Sequence, residues 1–389
     1  MVDILDKDLC GKLRDVVNST NLFYEDADER KIYSPICAMM DRVDESMEYI
    51  FSHSDIPANK NELILVLHHI SIVVGAVKEL FIKLGLDYNF IERGLPRYLQ
   101  DICKQEPFYL ALEQIPSDDT VFEYVRSISF AHPLNTSRAH LAKQIKADHC
   151  SPFLLLDEVA CGKNCFGICV YSTLSNDVFH IKIPYDALIA YVYERFNLIS
   201  YIINALKQKI ENKEKLWKER KVKRDGTPTE VLQDILSIQE ERYERTYEVR
   251  SLISIFTSPC TLQENQESLN KLRKAIVDII PALCDATDNM DSEQFYSLSD
   301  KIIDVYPKKT YGMFFYHMEK IFAYLDTDVH LSDKSWGLQQ AEEFSKEFAK
   351  KWVKIDINTM DDEEIKVLVM AACYLEAQEQ EREANDRKN

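Results

Sequence analysis

Residues 59–85 constrain what this chain can fold into more than any other stretch. Positions 63–77 are apolar almost throughout, and the run continues to Leu84 with too few polar residues for a helix with one side in water. A helix that is apolar nearly all round has to be enclosed by others. Asn59 or Asn61 offers a cap at its start, and Gly85 can end it in the left-handed conformation that glycine takes without steric cost. The spacing therefore predicts the central helix of a bundle, with His68 and His69 as core histidines. The apolar run is too short to span a bilayer, so no membrane partner is expected.

Glycine and proline number only 9 and 12 in 389 residues, which favours helices over a sheet-rich fold. Residues 1–34 are expected to form one short helix and an irregular approach. Over 35–53, Ile36, Met39, Met40, Val43, Met47 and Ile50 recur at three and four, an amphipathic helix with Asp41, Asp44, Glu45 and Glu48 outward. A further helix is expected at 90–104, then a loop with Pro107 and Pro116. After Cys150 the texture changes: 153–158, 166–172 and 177–183 are short and rich in Val, Ile, Phe and Tyr, predicting a small antiparallel insert at about 151–185. Residues 185–223 read as one long helix with a basic end. Thr227, Pro228 and Glu230 then form a capping-box start, so the boundary falls near 224–228. The expected architecture is mainly α: residues 1–225 as a helical bundle with the β insert, and 226–389 as a second all-helical domain. Its helices are placed at about 228–257, 261–286, 292–305, 309–325, 333–352 and 360–383, and the polar tail from Glu376 onward should fray.

The window 122–149 reverses the sign of the chain. Arg126, Arg138, Lys143 and Lys146 against Glu123 and Asp148 leave it at +2, whereas the whole chain stands at −18. Such a reversal suits an anionic ligand, although four basic residues are also an ordinary solvated face. Arg126 and His132 are six residues apart, which on a regular helix is 240° after a full turn, so they cannot share a face. Pro133 disfavours helical backbone at the residue before it, and the helix should end at or just before His132. Asn135, Thr136 and Ser137 can cap a second helix at about 137–148, leaving His132 in the turn between two helices.

Arg126, the polar Ser127 beside it and His132 five intervening residues on resemble the R-x(4–6)-H signature of the HEPN (higher eukaryotes and prokaryotes nucleotide-binding) superfamily. The resemblance implies a helical bundle that usually dimerises through the motif helices and, in many members, a metal-independent endoribonuclease of bacterial defence or toxin systems. It further implies that His132 handles the proton of the RNA 2′-hydroxyl or of the leaving oxygen, while Arg126 holds the phosphate beside Ser127. The chemistry is consistent on its own terms. RNA carries an internal nucleophile, an imidazole titrates near neutrality, and a guanidinium fork stabilises charge on phosphorus. Arg138, His140, Lys143 and Lys146 would then track the RNA backbone. The blander reading makes Arg126 an ion-pair partner of Glu113 or Glu123, and His132 a helix cap.

Signatures of P-loop, dinucleotide, zinc-protease and serine-elbow chemistry are absent from the sequence. Ten cysteines without a basic, apolar leader suggest reduced thiols and a cytoplasmic setting. Cys161, Cys165 and Cys169 lack the two-residue knuckle that zinc favours, so neither metal nor cofactor is expected. The alternative to a ribonuclease is a helical scaffold whose acidic surface, or whose C-terminal domain, binds a protein partner.

Overall fold

The computed structural model describes residues 6–106, 108, 112, 114–136, 139–145, 148–173, 178–325 and 331–387. The chain is mainly helical with one small antiparallel sheet, and it divides into two compact units, Met1–Glu211 and Asn212–Asn389. The division lies earlier than the boundary expected near 224–228, because Val222 already belongs to the second core.

The first unit opens with α1 (Leu9–Asn18), the single turn α2 (Leu22–Glu25) and α3 (Arg30–Ser52). Helix α3 starts before Pro35, which sits inside its second turn. Helix α4 (Lys60–Lys83) is capped by Asn59, whose side chain accepts from Glu62 N, and it ends before Gly85 at φ +67°. It packs along α3. Leu63, Val66, Leu67, Ile70, Val73, Val77 and Phe81 are fully enclosed, each contributing on the order of 2 kcal/mol of transfer free energy. By length and composition alone α4 could cross a bilayer, but this inward face accounts for its apolarity. The enclosure is incomplete: Leu65, His68 and Ile82 are exposed, so His68 is not the core residue the sequence suggested.

No single helix occupies 90–104. Gly94, Leu95 and Pro96 separate α5 (Tyr88–Glu92) from a 3-10 turn at Gln100–Lys104. Helix α6 (Asp118–Arg126) continues as a π turn over Ser127–Ala131, and α7 (His140–Ile145) follows, shorter than expected. The sheet comprises β1 (His149–Cys150), β2 (Leu154–Leu155), β3 (Cys165–Ser172) and β4 (Val178–Pro184), with the turn α8 (Glu158–Cys161) between β2 and β3. β1 and β2 pair with one edge of β3 and β4 with the other, in the register Cys165↔Pro184 to Tyr171↔Val178. A Cβ on Gly167 would stand 2.8 Å from Cys161 Sγ, so the small residues of β3 let α8 seat closely on the sheet. The helix expected over 185–223 is two, α9 (Tyr185–Asn197) and α10 (Ile199–Glu219), interrupted at Leu198 by no feature we can identify.

The second unit follows from the capping box, in which Thr227 and Glu230 each satisfy the other's backbone amide. Helices α11 (Pro228–Glu241) and α12 (Tyr247–Thr257) replace the single helix expected over 228–257. They are followed by α13 (Gln266–Asn289), α14 (Ser292–Ile303), α15 (Phe314–Tyr324), α16 (Leu331–Glu347) and α17 (Asp362–Asp386). Helix α17 buries Ile365 and the run from Val367 to Cys373, and the polar stretch from Glu376, expected to fray, remains helical to Asp386. Gly337 is required where α16 crosses α15, since a Cβ there would lie 2.9 Å from Tyr324 Cβ.

Candidate functional site

Helix α6 is held at both ends. Ser117 caps it by accepting from Thr120 N. Beside that cap, Asp118 accepts the backbone amides of Tyr98 (2.6 Å) and Leu99 (3.1 Å), and burial raises its pKa. Asp119 is the centre of a buried polar network. Its Oδ1 accepts from Arg195 Nε (2.8 Å) and Tyr191 Oη (2.8 Å), and its Oδ2 from Tyr88 Oη (2.7 Å) and Lys78 Nζ (2.7 Å). Burial by itself would raise the Asp119 pKa, but the Arg195 and Lys78 charges outweigh it and hold the group at about 2. Arg195 continues to Glu92 at 3.4 Å, which also takes Arg97 at 3.1 Å. A surface cavity of about 220 Å³ opens beside this network, lined by Lys78, Tyr88, Glu92 and Asp119 among others.

Seven residues after Asp119, Arg126 donates from Nη1 to Ser71 Oγ at 3.4 Å, and Ser71 lies seven residues before Lys78. Two turns of α6 thus run antiparallel to two turns of α4 in even register. Beyond that point the register slips by one, because Phe130 lies four residues past Arg126 but meets His68, three before Ser71, edge to face at 6.3 Å. One residue is what a π turn inserts into a helix, and such turns concentrate at functional sites. The helix then stops where Pro133 requires. His132 N donates to Ser127 O at 2.7 Å, and His132 leaves the helix at φ −143°, ψ 56° with its side chain exposed. The turn after it is tied to the sheet, through Ser151 N to Pro133 O (2.7 Å) and Thr136 Oγ1 to His149 O (3.0 Å).

Arg126 is half-buried and His132 is exposed, six residues apart; among the described residues no hydrogen bond joins them. Ser127 cannot reach a substrate as the resemblance implied. It is 2% exposed at the start of the π turn, with a hydroxyl that finds no partner among the described residues. His140 and Lys143 are exposed and three residues apart on α7, whereas Arg138 and Lys146 lie outside the described residues. Sequence reasoning missed a row of rings that ends at Phe130. His53 stacks on Tyr49 (4.2 Å), Tyr49 on His69 (4.4 Å), and His69 leads through His68 to Phe130. His69 also shares a hydrogen bond with Ser46 Oγ at 3.1 Å, and burial lowers its pKa. The signal available was the four-residue spacing of Tyr49 and His53 on one helix and the adjacent His68 and His69 on the next.

Two further groups are accounted for by packing. His149 Nδ1 and Tyr124 Oη are 2.6 Å apart against Phe108, and burial pushes the imidazole pKa down to about 4. Cys161 points its thiol at Leu155 O, 3.8 Å away, and burial raises its pKa. Among the described residues no group of three His, Cys, Asp or Glu side chains converges as a metal would need.

Compared with protein families, with curated proteins and with solved structures, the chain shows no match.

Proposed function

We propose that the first unit binds RNA and cleaves it without a metal ion, in the manner the HEPN resemblance implies. Arg126 engages the scissile phosphate, and His132 exchanges the proton of the 2′-hydroxyl or of the leaving oxygen. The observation that carries this reading is the exposed side chain of His132 on a turn whose backbone is tied to the sheet through Pro133 O, beyond the π turn that follows a half-buried Arg126. Among the described residues the side-chain hydrogen bond of Arg126, to Ser71, is long at 3.4 Å, and a phosphate can replace it with a charge-assisted pair. His140 and Lys143 extend the basic path along α7. A defence or toxin setting, with the second unit as sensor, belongs to the same proposal.

The test is incubation of the full chain with single-stranded RNA in the presence of a chelator. Products ending in a 2′,3′-cyclic phosphate are expected, and His132→Ala should slow cleavage by ~10²–10⁴-fold, the usual contribution of a positioned acid or base. RNA left intact, or cut equally by His132→Ala, sinks the proposal. The second reading, an acidic helical scaffold for a protein partner, is favoured by the net charge of −18 and would then stand.

A further inference from the structure

Helix α4 turns one stripe away from its own core: Leu65 (46% exposed), His68, Ile72, Gly75, Glu79 and Ile82 (65% exposed), with Ile72 and Glu79 half-buried between their neighbours. The spacing alternates three and four, which confines the stripe to about 100° of the helix surface, the arrangement by which two helices interlock. Among the described residues a Cβ at Gly75 would meet nothing within 4 Å, so the centre of the stripe is open.

The order of residues along the stripe carries the argument. Reversed about the midpoint between Val73 and Val74, it places Leu65 opposite Ile82, His68 opposite Glu79 and Ile72 opposite Gly75. Apolar meets apolar at the ends, an imidazole meets a carboxylate, and a β-branched side chain meets the one position without a side chain. A partner of unrelated sequence would not require that symmetry. A second copy related by a twofold axis requires it, since an isologous contact presents each residue to its mirror position.

We propose that α4 is a self-pairing face, along which two copies of this chain dock antiparallel about a twofold axis between Val73 and Val74. The Ile72 side chain of each copy fills the space over Gly75 of the other, and His68 and Glu79 form two equivalent cross-copy pairs. Arg126 and Phe130 stand beside Ser71 and His68 as one wall of the interface, and Tyr49 and His69 form the other. The proposal does not rest on the ribonuclease reading: the resemblance places pairing on the motif helix α6, whereas this stripe belongs to α4.

The experiment is sedimentation equilibrium of the full chain and three variants. Wild type should be a dimer at micromolar concentration. Gly75→Arg, at a position open in the monomer, should leave the helical content unchanged and abolish the dimer. His68→Glu sets two carboxylates against two others and should weaken the dimer on the order of tenfold. The double variant His68→Glu with Glu79→His exchanges the partners across the axis and should restore wild-type affinity. A monomeric wild type, a Gly75→Arg protein that still dimerises, or a double variant no tighter than His68→Glu would each overturn the proposal. Circular dichroism on every variant separates loss of pairing from loss of fold.

Discussion

Among the described residues each unit buries one arginine almost completely, and the two are neutralised by opposite means. Arg195, 1% exposed in the first unit, faces the carboxylates of Asp119 and Glu92, and although burial alone would lower its pKa, the Asp119 charge and hydrogen bond raise it. Arg242, 3% exposed in the second, instead donates to main-chain carbonyls: Thr287 O at 2.6 Å, Trp217 O at 2.8 Å and Arg220 O at 3.4 Å. The nearest carboxylate, Glu244, is 3.9 Å away, and burial lowers the Arg242 pKa. The carbonyls it gathers lie at or just past the C-terminal ends of α10 and α13, where unpaired acceptors and the helix dipoles concentrate negative potential. An ion pair and a set of helix ends thus do the same job, but only the first adds a second charge that must itself be held. The first unit is therefore the one that should fail when a single partner is removed.

The largest effect is expected from Asp119→Ala, which leaves Arg195 buried beside an empty site and removes the partner of Tyr88, Tyr191 and Lys78. Breaking a buried pair in this way costs ~3–5 kcal/mol. Hydrogen exchange should rise across α6 and α9 while α11 to α17 stay protected; a loss below 1 kcal/mol (roughly the worth of an exposed pair) would end the contrast. Replacing both members, Asp119→Leu with Arg195→Met, should recover much of that loss, because no uncompensated charge remains.

A pH titration comes next. His149 is held neutral, with a folded pKa of about 4 against an ordinary 6.5. Its contribution is complete above pH 6.5 and is lost as the pH falls through 4, a change of ~3 kcal/mol at most. Asp119 is also depressed, from 3.8 to about 2, so its ~2 kcal/mol is present above pH 3.8 and is lost only as the pH falls through 2. Denaturant midpoints of the first unit should fall between pH 6.5 and 4 because of His149 and not of Asp119, and His149→Gln should flatten that slope.

Arg242→Met should cost ~2 kcal/mol through carbonyls left without a donor, with exchange rising in α11 and α13. Thr227→Ala removes the capping box and should cost ~1 kcal/mol, with faster exchange in the first turn of α11 alone.

The parts of the fold that depend on neighbouring residues were legible in the sequence. Asn59 and Gly85 bound α4 as their chemistry requires, Thr227 and Glu230 start α11, and the strands fall close to the runs rich in Val, Ile, Phe and Tyr. The end of the helix before His132 followed from Pro133 alone. The parts set by distant residues were not legible. Asp119 and Arg195 are 76 positions apart, and nothing local marks either as the other's partner. Nor can a binary pattern say which side of an all-apolar helix stays out, so Leu65, His68 and Ile82 were placed in the core. Ser127 was assigned to the site because it adjoins Arg126, yet adjacent positions on a helix point about 100° apart, and Ser127 falls inward.

The π turn between Arg126 and His132 has a genetic corollary. A bulge of this kind is one residue longer than the regular helix it interrupts, so losing a single codon anywhere in 127–131 would let α6 close as an ordinary α-helix. His132 would then swing by about a quarter of a circle relative to Arg126. A frame-preserving deletion within 128–131, leaving Arg126, Ser127 and His132 all present, is enough to re-aim His132 relative to Arg126.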